Sequence, residues 1–195
     1  MRIDRQNEEL IWDTYKPMWS HLERDWFGQY LDVPASFALA VDPANLWFFA
    51  QRDKRASMLA GAQTNEFVEG LWNHDVAELF VGGSDSERYL EFNLAPNGAW
   101  WSAEFCGPRR RVNEDAHPVE GIRTHSRISD DGCWRAALTI PIVYLKDNFG
   151  FGVDTRLNVT FIVDTPAQRF LSAASLPGRE PDFHQPSHFE RAVTC

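Results

Sequence analysis

A single glutamate interrupts an apolar run at Glu78, in the segment Val-Ala-Glu-Leu-Phe-Val at residues 76–81. Alternate side chains of a strand share a face, so Glu78 is expected on the same face as the apolar Val76 and Phe80. Burying a carboxylate without partners is costly, and such a glutamate usually has hydrogen-bonding partners or a ligand. Glu78 is therefore the first candidate for a polar binding site, the alternative being a buried acid satisfied by backbone or arginine neighbours.

Aromatic side chains are the second feature that could recognise a ligand, since the chain has eight Trp and fourteen Phe. Trp72 is expected in a loop just before the strand of Glu78, and Phe183 in a proline-rich loop, although either ring could equally serve the core. Trp100 and Trp101 occupy consecutive strand positions and must point to opposite faces. One of them has to leave the core or cover an edge, which makes Trp100 a secondary candidate for ligand contact.

Metal binding has weaker signals in the sequence. His184 and His188 have the spacing of a helical metal pair, but Pro186 between them disfavours a helix and no third ligand is evident. The acidic turn at Asp130 and Asp131 is a candidate for structural calcium, although it lacks the alternating acidic pattern of a calcium loop. We therefore expect hydrogen-bonded loop histidines and no resident cofactor, with a structural calcium ion left open.

Catalysis is the least supported of the chemical interpretations. Glu78 with Asp75 or Glu91 could form the carboxyl pair of a glycosidase, because the strands that hold Glu78 and Glu91 could come close together. No catalytic triad and no phosphate-binding loop is evident elsewhere in the sequence. We expect a protein that is not an enzyme.

Short strands are expected to position these residues, because runs alternating with a period of two recur between turn signals and no long stretch keeps a helical apolar stripe. The predicted strands are residues 36–41, 46–51, 76–81, 88–94, 99–105, 121–128, 133–140, 157–163 and 188–193. Short helical turns are expected at 10–22 and 142–145, and an ordered loop at 176–185. Residues 1–35 are predicted to be an irregular or partly helical lead-in to a single domain of residues 1–195.

Several predicted strands are apolar on one face and polar on the other. In residues 88–94, Leu90, Phe92 and Leu94 point one way while Tyr89, Glu91 and Asn93 point the other. Such alternation is expected of two packed antiparallel sheets whose outer faces meet water. The prediction is an all-β, antiparallel β-sandwich of the immunoglobulin-like jelly-roll type with short helical turns.

Charge and composition exclude two classes of partner. A formal net charge of −9 disfavours nucleic acid, which rewards clustered Lys and Arg, and the one basic run, at residues 109–111, is short. No apolar stretch approaches the length that spans a bilayer, and the polar start of the chain has no secretory apolar region. Three cysteines without zinc-site spacing favour free thiols and a cytoplasmic location, with a processed secreted or periplasmic form as the alternative.

Five segments, in order along the chain, resemble the family 9 carbohydrate-binding modules and their DOMON-like relatives. They are Gly-Leu-Trp-Asn-His-Asp-Val-Ala-Glu-Leu-Phe-Val at 70–81, Tyr-Leu-Glu-Phe-Asn-Leu-Ala-Pro-Asn-Gly at 89–98, Trp-Arg-Ala-Ala-Leu-Thr-Ile-Pro at 134–141, Leu157-Asn158, and Pro-Asp-Phe-His-Gln-Pro-Ser-His-Phe at 181–189. Five ordered segments are more specific than any one short motif. The resemblance covers roughly residues 36–193 and implies the DOMON-like sandwich.

The resemblance also implies a non-catalytic carbohydrate-binding module. In sugar-binding members two aromatic rings sandwich a pyranose, and by position Trp72 matches one ring, Phe183 the other, and Glu78 a hydrogen-bonding carboxylate. A pyranose has an apolar C–H face that packs on a ring and hydroxyls that need convergent polar groups. The implied polar floor consists of Glu78, Glu91, Asn93 and Thr160.

The sequence departs from the family pattern, which keeps other functions open. Glu91 stands where binding members place a basic residue, and the second ring is Phe183 where a Trp is usual. One alternative is a haem-binding DOMON-like cytochrome, for which only Met18 and Met58 are available as axial methionines beyond the start residue. Another is a DOMON-like protein-interaction domain that has lost sugar binding.

Overall fold

Two β-sheets packed face to face form the structure, a computed structural model that describes residues 1–83, 87–114 and 118–195. The strands are β1 (Arg2–Arg5), β2 (Ser20–Arg24), β3 (Tyr30–Val41), β4 (Asn45–Arg52), β5 (Val76–Gly82), β6 (Tyr89–Leu94), β7 (Trp100–Gly107), β8 (Arg110–Arg111), β9 (Arg123–Ile128), β10 (Trp134–Pro141), β11 (Arg156–Val163), β12 (Arg169–Ser172), β13 (Glu190–Arg191) and β14 (Val193–Thr194). One helix, α1 (Ile142–Phe149), and 3-10 turns at Leu71–Asn73 and Pro186–His188 complete the described elements. The predicted all-β sandwich and the helical turn after residue 141 are confirmed.

The first sheet has the order β14-β1-β3-β4-β10-β9, with β2 also paired to β3. The second has the order β12-β11-β5-β6-β7-β8, with β13 also paired to β11. All pairings are antiparallel except those of β1, which runs parallel to both β3 and β14. The parallel pairings occur where the two ends of the described chain, β1 and β14, lie side by side.

The main core lies between the sheets and follows the period-two pattern of the strands. Leu90, Phe92 and Leu94 of β6 point into it together with Leu79 of β5, and all are buried. Burying each such side chain contributes roughly 1.5–3 kcal/mol. The face assignments made from the alternating residues therefore hold for these strands.

The N-terminal segment differs from its prediction. Residues 1–35 contain β1 and β2, and residues 10–22 hold a turn and the start of β2 where helical turns were expected. Trp12, Tyr15 and Trp19 pack against the outer face of the first sheet, around Phe49. Burying these rings against a sheet outweighs the weak helical preference of so short a segment.

The outer face of the second sheet is also covered, contrary to the expectation of water on both outer faces. Every residue of β5 and β6 is buried. Phe183 and Phe189 of the C-terminal segment form a second apolar cluster there with Phe80 and Tyr89. Loops therefore cover this face of the second sheet, and a cleft remains open over its centre.

In the described ranges, no helix has the length and apolar composition needed to cross a bilayer. All three cysteines are unpaired, as their spacing predicted, at Cys106, Cys133 and Cys195.

Candidate functional site

A cleft of about 430 Å³ opens on the outer face of the second sheet. Its walls combine aromatic rings, two carboxyl groups and two guanidinium groups. The residues that line it are Trp72, Asn73, Glu78, Glu91, Trp101, Phe105, Arg109, Arg111, Ile162, Gln168, Phe170, Pro181, Phe183 and His184.

Side chains of four adjacent strands form the floor of the cleft. Thr160 of β11 pairs with Glu78 of β5, Glu78 with Asn93 of β6, and Asn93 with Trp101 of β7. Directly paired residues on neighbouring strands point to the same face, with Cβ atoms about 4.5–5.5 Å apart. The four side chains therefore form one row across the sheet, and Glu91 lies in the next row, diagonal to Glu78.

The two carboxyl groups of the floor, Glu78 and Glu91, are buried, and each is held by one neighbour. Thr160 Oγ1 donates to Glu78 Oε2 at 2.6 Å, and Asn93 Nδ2 donates to Glu91 Oε1 at 2.8 Å. Burial raises the pKa of Glu78 well above its usual range, and the nearby charge of Glu91 raises it further. Burial likewise raises the pKa of Glu91, against the opposing hydrogen bond from Asn93. The pair therefore keeps a proton at a pH at which exposed carboxyl groups have lost theirs.

His184 lies beside this pair as a neutral ring. Its Nδ1 is 2.7 Å from the hydroxyl of Tyr89, and its Nε2 is 3.8 Å from Glu91 Oε2. Burial and, after it, the charge of Arg109 lower the pKa of His184 to about 4. The contact with Glu91 is thus between a carboxyl group and an uncharged imidazole, and we do not count it as an ion pair.

One wall of the cleft is a pair of tryptophans. Trp72 lies on the 3-10 turn after Gly70, whose φ of 88° favours glycine. The rings of Trp72 and Trp101 meet edge to face, with centroids 5.1 Å apart, and Gln168 Nε2 donates to the Trp72 carbonyl at 3.0 Å. The guanidinium carbon of Arg111 lies 4.7 Å from the centroid of the Trp101 ring. These contacts fix the wall while Trp72 stays only half-buried.

The opposite wall is built by Phe183 and its neighbours. Phe183 packs against Trp26 and Phe170, with ring centroids 6.2 Å and 6.1 Å away, and only 7% of the residue is exposed. The structure thus brings Trp72, Phe183 and Glu78 to one cleft, as the sequence predicted. Phe183, however, offers a ligand far less ring surface than Trp72 does.

The remaining predicted site residues have different positions. Asn93 and Thr160 are fully buried on either side of Glu78 in the same row, and their hydrogen bonds hold Glu91 and Glu78 in place. Trp100 is wrong as a ligand contact: it points into the core between the sheets, edge to face with Phe67 at 4.9 Å. Because neighbours on a strand alternate in direction, the same geometry places Trp101 at the cleft.

Sequence reasoning missed several residues of the cleft. Arg109 and Arg111 come from the basic run after β7, and their approach to Glu78 and Glu91 depends on a loop that has no sequence signature. Trp101 could have been found, because it has the strand parity of the polar residues and Trp100 that of the apolar core. Gln168 and Phe170 belong to β12 and the turn before it, which no local pattern indicated.

Metal and haem sites find little support in the described ranges. No group of three or more His, Cys, Asp and Glu side chains suited to a metal ion occurs there. Asp131 of the acidic turn accepts hydrogen bonds from Ser129 and Cys133, so it serves the turn itself. Met18 accepts a hydrogen bond from Arg2, and neither Met18 nor Met58 lines the cleft. Structural calcium stays an untested expectation.

Because Glu78 and Glu91 are buried, we expect Glu91→Gln to be more stable than the wild type, by an amount that grows as pH rises. A carboxyl group with a raised pKa in the folded state contributes its stability fully below the unfolded value, and this stability is lost as pH rises through the folded pKa. Glutamine keeps the shape and the contact with Asn93 without that loss. Urea unfolding should show Glu91→Gln more stable than the wild type by about 1–2 kcal/mol at pH 8, with the difference shrinking towards pH 4.5.

The control for that experiment is Glu120→Gln, a change at an exposed position outside the cleft. It should shift stability by less than about 0.5 kcal/mol at either pH. A gain in Glu91→Gln of the same size at both pH values would contradict a desolvated carboxyl group on the floor.

Comparison with known proteins gives a fold and one sequence relative. No family model matches the chain. A curated protein of Arthroderma benhamiae, named "Extracellular protein", is 25% identical over an alignment of 140 positions, and the alignment covers 64% of this chain and 63% of that protein. The chain thus spans less than two thirds of the length of the curated relative it matches.

Solved structures resemble the whole chain. A "putative carbohydrate-binding protein" of Bacteroides uniformis superposes with a TM-score of 0.77 at 15% identity, covering 100% of this chain and 98% of that one. A family 9 carbohydrate-binding module of Caldicellulosiruptor kristjanssonii in complex with glucose gives a TM-score of 0.65 at 14% identity, covering 100% and 96% of the two chains. The same organism's module in complex with cellotriose gives 0.64 at 14% identity, covering 100% and 93%. The chain therefore has the fold of the family 9 carbohydrate-binding modules.

Proposed function

We propose that this protein binds a carbohydrate, without catalysis, in the cleft over the second sheet. The observation that carries the proposal is that one cleft combines a half-buried ring, Trp72, with a polar floor centred on Glu78. An aromatic wall packs against the C–H face of a pyranose, while the floor meets its hydroxyl groups.

Polar groups of the cleft match what a sugar hydroxyl needs. The Glu78 and Glu91 carboxyl groups each have one oxygen that makes no hydrogen bond to a described residue, and both can accept from hydroxyls. The indole Nε1 of Trp101 is buried and has no hydrogen-bond partner in the described part of the chain. A ligand oxygen would relieve that cost, because an unsatisfied buried donor destabilises by about 1–3 kcal/mol.

Similarity to solved structures supports the proposal without settling it. The modules of C. kristjanssonii that share this fold were solved with glucose and cellotriose bound. The cleft therefore suits a glucose-type hexose or the end of a short glucan. An extracellular location, which the sequence left open for a processed form, is supported by the name of the A. benhamiae relative.

We infer that the carboxyl pair does not act as that of a glycosidase. Glycosidases flank the scissile bond with two carboxyl groups, one for the leaving oxygen and one for the anomeric carbon. Glu78 and Glu91 are diagonal neighbours on one face of one sheet, so both approach a ligand from below. We propose that they bind hydroxyl groups and leave the glycosidic bond intact.

Calorimetric titration with glucose, cellobiose and cellotriose tests the proposal. We expect dissociation constants between micromolar and millimolar, or about 4–8 kcal/mol of binding free energy, and unchanged sugars recovered at the end. The same titration with the Trp101→Phe variant, which removes the unsatisfied indole donor and keeps a ring, should give weaker binding. Absence of heat with every neutral sugar, or release of shorter sugars from cellotriose, would refute the proposal as stated.

A further inference from the structure

The floor of the cleft presents more hydrogen-bond acceptors than donors. One oxygen each of Glu78 and Glu91 makes no hydrogen bond to a described residue, whereas Trp101 adds a single unsatisfied N–H donor. A sugar hydroxyl donates a single hydrogen, whereas an ammonium group donates three and accepts none. The floor thus has a surplus of acceptors that a neutral hexose satisfies only in part.

Charge at the floor points in the same direction. The two arginines that face the carboxyl pair have other partners at the rim of the cleft: Arg109 pairs with Asp182 at 2.9 Å and Arg111 with Glu69 at 2.8 Å. His184, a further titratable neighbour, is a neutral ring that shares a hydrogen bond with the hydroxyl of Tyr89. Asp182 and Glu69 at the rim offset part of the charge of the two arginines, which also act to lower the pKa of Glu91. Two ionised carboxyl groups would then leave the floor between these rim pairs locally negative.

Without a cation, a proton bound to Glu78 or Glu91 removes the negative surplus. Ionising both buried carboxyl groups on neighbouring strands would cost too much free energy. A cation placed between the two groups would replace the proton and allow both carboxylates to form charge-assisted hydrogen bonds. The net charge of −9 on the whole chain favours the approach of the same kind of ligand.

We propose that the cleft selects a hexose that carries a primary ammonium group, held between the carboxyl groups of Glu78 and Glu91. This inference rests on the proposed function and names the substrate class of the same site. As the ammonium group enters, the proton of the carboxyl pair leaves to solvent, and no covalent bond forms or breaks.

The test is calorimetry at pH 6.5, where an amine with a pKa of about 8 is charged. The ligands are glucose, N-acetylglucosamine, glucuronic acid and three amino-hexoses, with the amine at carbon 2, 3 or 6. We expect at least one amino-hexose to bind about tenfold more tightly than glucose, with proton release measured as a heat that depends on the buffer. N-acetylglucosamine, which has nitrogen but no charge, should show no such preference.

Variants separate the floor from the rest of the protein. Glu91→Gln and, independently, Glu78→Gln should each bring the ratio of amino-hexose to glucose affinity close to one, while Glu120→Gln should leave it at the wild-type value. A preference below threefold for every amino-hexose, or tighter binding of glucuronic acid than of glucose, would overturn the inference and leave sugar binding intact. Failure of every sugar to bind would instead remove the proposed function, and this inference with it.

Discussion

Trp72→Ala should weaken the binding of glucose and cellobiose at least about 30-fold, equivalent to about 2 kcal/mol. Trp72 is a half-buried ring of the cleft, whereas Phe183 is 7% exposed and Trp101 only 1%. Stacking on one aromatic ring is worth about 1–3 kcal/mol in other ligand complexes, and truncation also widens the cleft. Calorimetry or quenching of tryptophan fluorescence measures the loss.

The matched control is Trp19→Ala, because Trp19 is a half-buried tryptophan on the outer face of the first sheet. It should lose a similar amount of stability and none of the sugar affinity. Equal effects of Trp72→Ala and Trp19→Ala on binding would show that the ring at position 72 supports the fold and not the ligand.

Asp164→Asn should cost about 3 kcal/mol of unfolding free energy at pH 7. Asp164 follows β11 and accepts from both terminal nitrogens of Arg52 on β4, at 2.7 Å and 3.3 Å, and it also pairs with Lys54 at 2.8 Å. The Arg52 side chain is 1% exposed, so losing Asp164 leaves a buried cation paired only with the exposed Asp32 at 3.5 Å among the described residues. Asparagine keeps the size and tolerates the φ of 60° at this position.

The difference in unfolding free energy between the wild type and Asp164→Asn should shrink in acid. Burial alone would raise the pKa of Asp164, but hydrogen bonds from Arg52 and Lys54 hold it below its usual value. A lowered carboxyl pKa stabilises the folded state above the unfolded value of about 4, and this stability is lost as pH falls through the folded pKa. Urea unfolding at pH 7 and pH 3 should therefore show a large difference between wild type and Asp164→Asn, then a small one.

Asp154→Asn is the control for this prediction. Asp154 pairs with Arg191 at 3.1 Å on the surface, where both side chains are more than half exposed. Exposed pairs contribute at most about 1 kcal/mol. A loss in Asp164→Asn no larger than in Asp154→Asn would mean that the link between the two sheets at Arg52 contributes little.

The strands of the second sheet could be predicted from the sequence because their apolar periodicity is local information. Each of β5, β6 and β11 alternates residues that point into the core with residues that point away, and the structure confirms these segments as strands. β1, β2 and β12 were not predicted, since each has only four or five residues. β2 and β12 pair with the next or preceding strand of the chain, whereas β1 pairs with the distant β3 and β14. Pairing of that kind is tertiary and leaves no local pattern.

The candidate site was predicted in part, for the same physical reason. Glu78 was identifiable because a charge in an apolar strand needs compensation, and the row of Thr160 and Asn93 beside it follows from strand parity. Arg109 and His184 reach the cleft from loops and Arg111 from the two-residue strand β8, and no period in the sequence fixes their directions. Trp100 was chosen over Trp101 although the parity of their strand favours the reverse.

The most direct test of sugar binding in this cleft is a crystal structure. Crystals would be soaked with glucose or cellobiose at a concentration tenfold above the calorimetric dissociation constant. We expect a pyranose against the ring of Trp72, with its hydroxyl groups hydrogen-bonded to the carboxyl groups of Glu78 and Glu91. Density for the sugar at another surface, with this cleft holding only solvent, would contradict it.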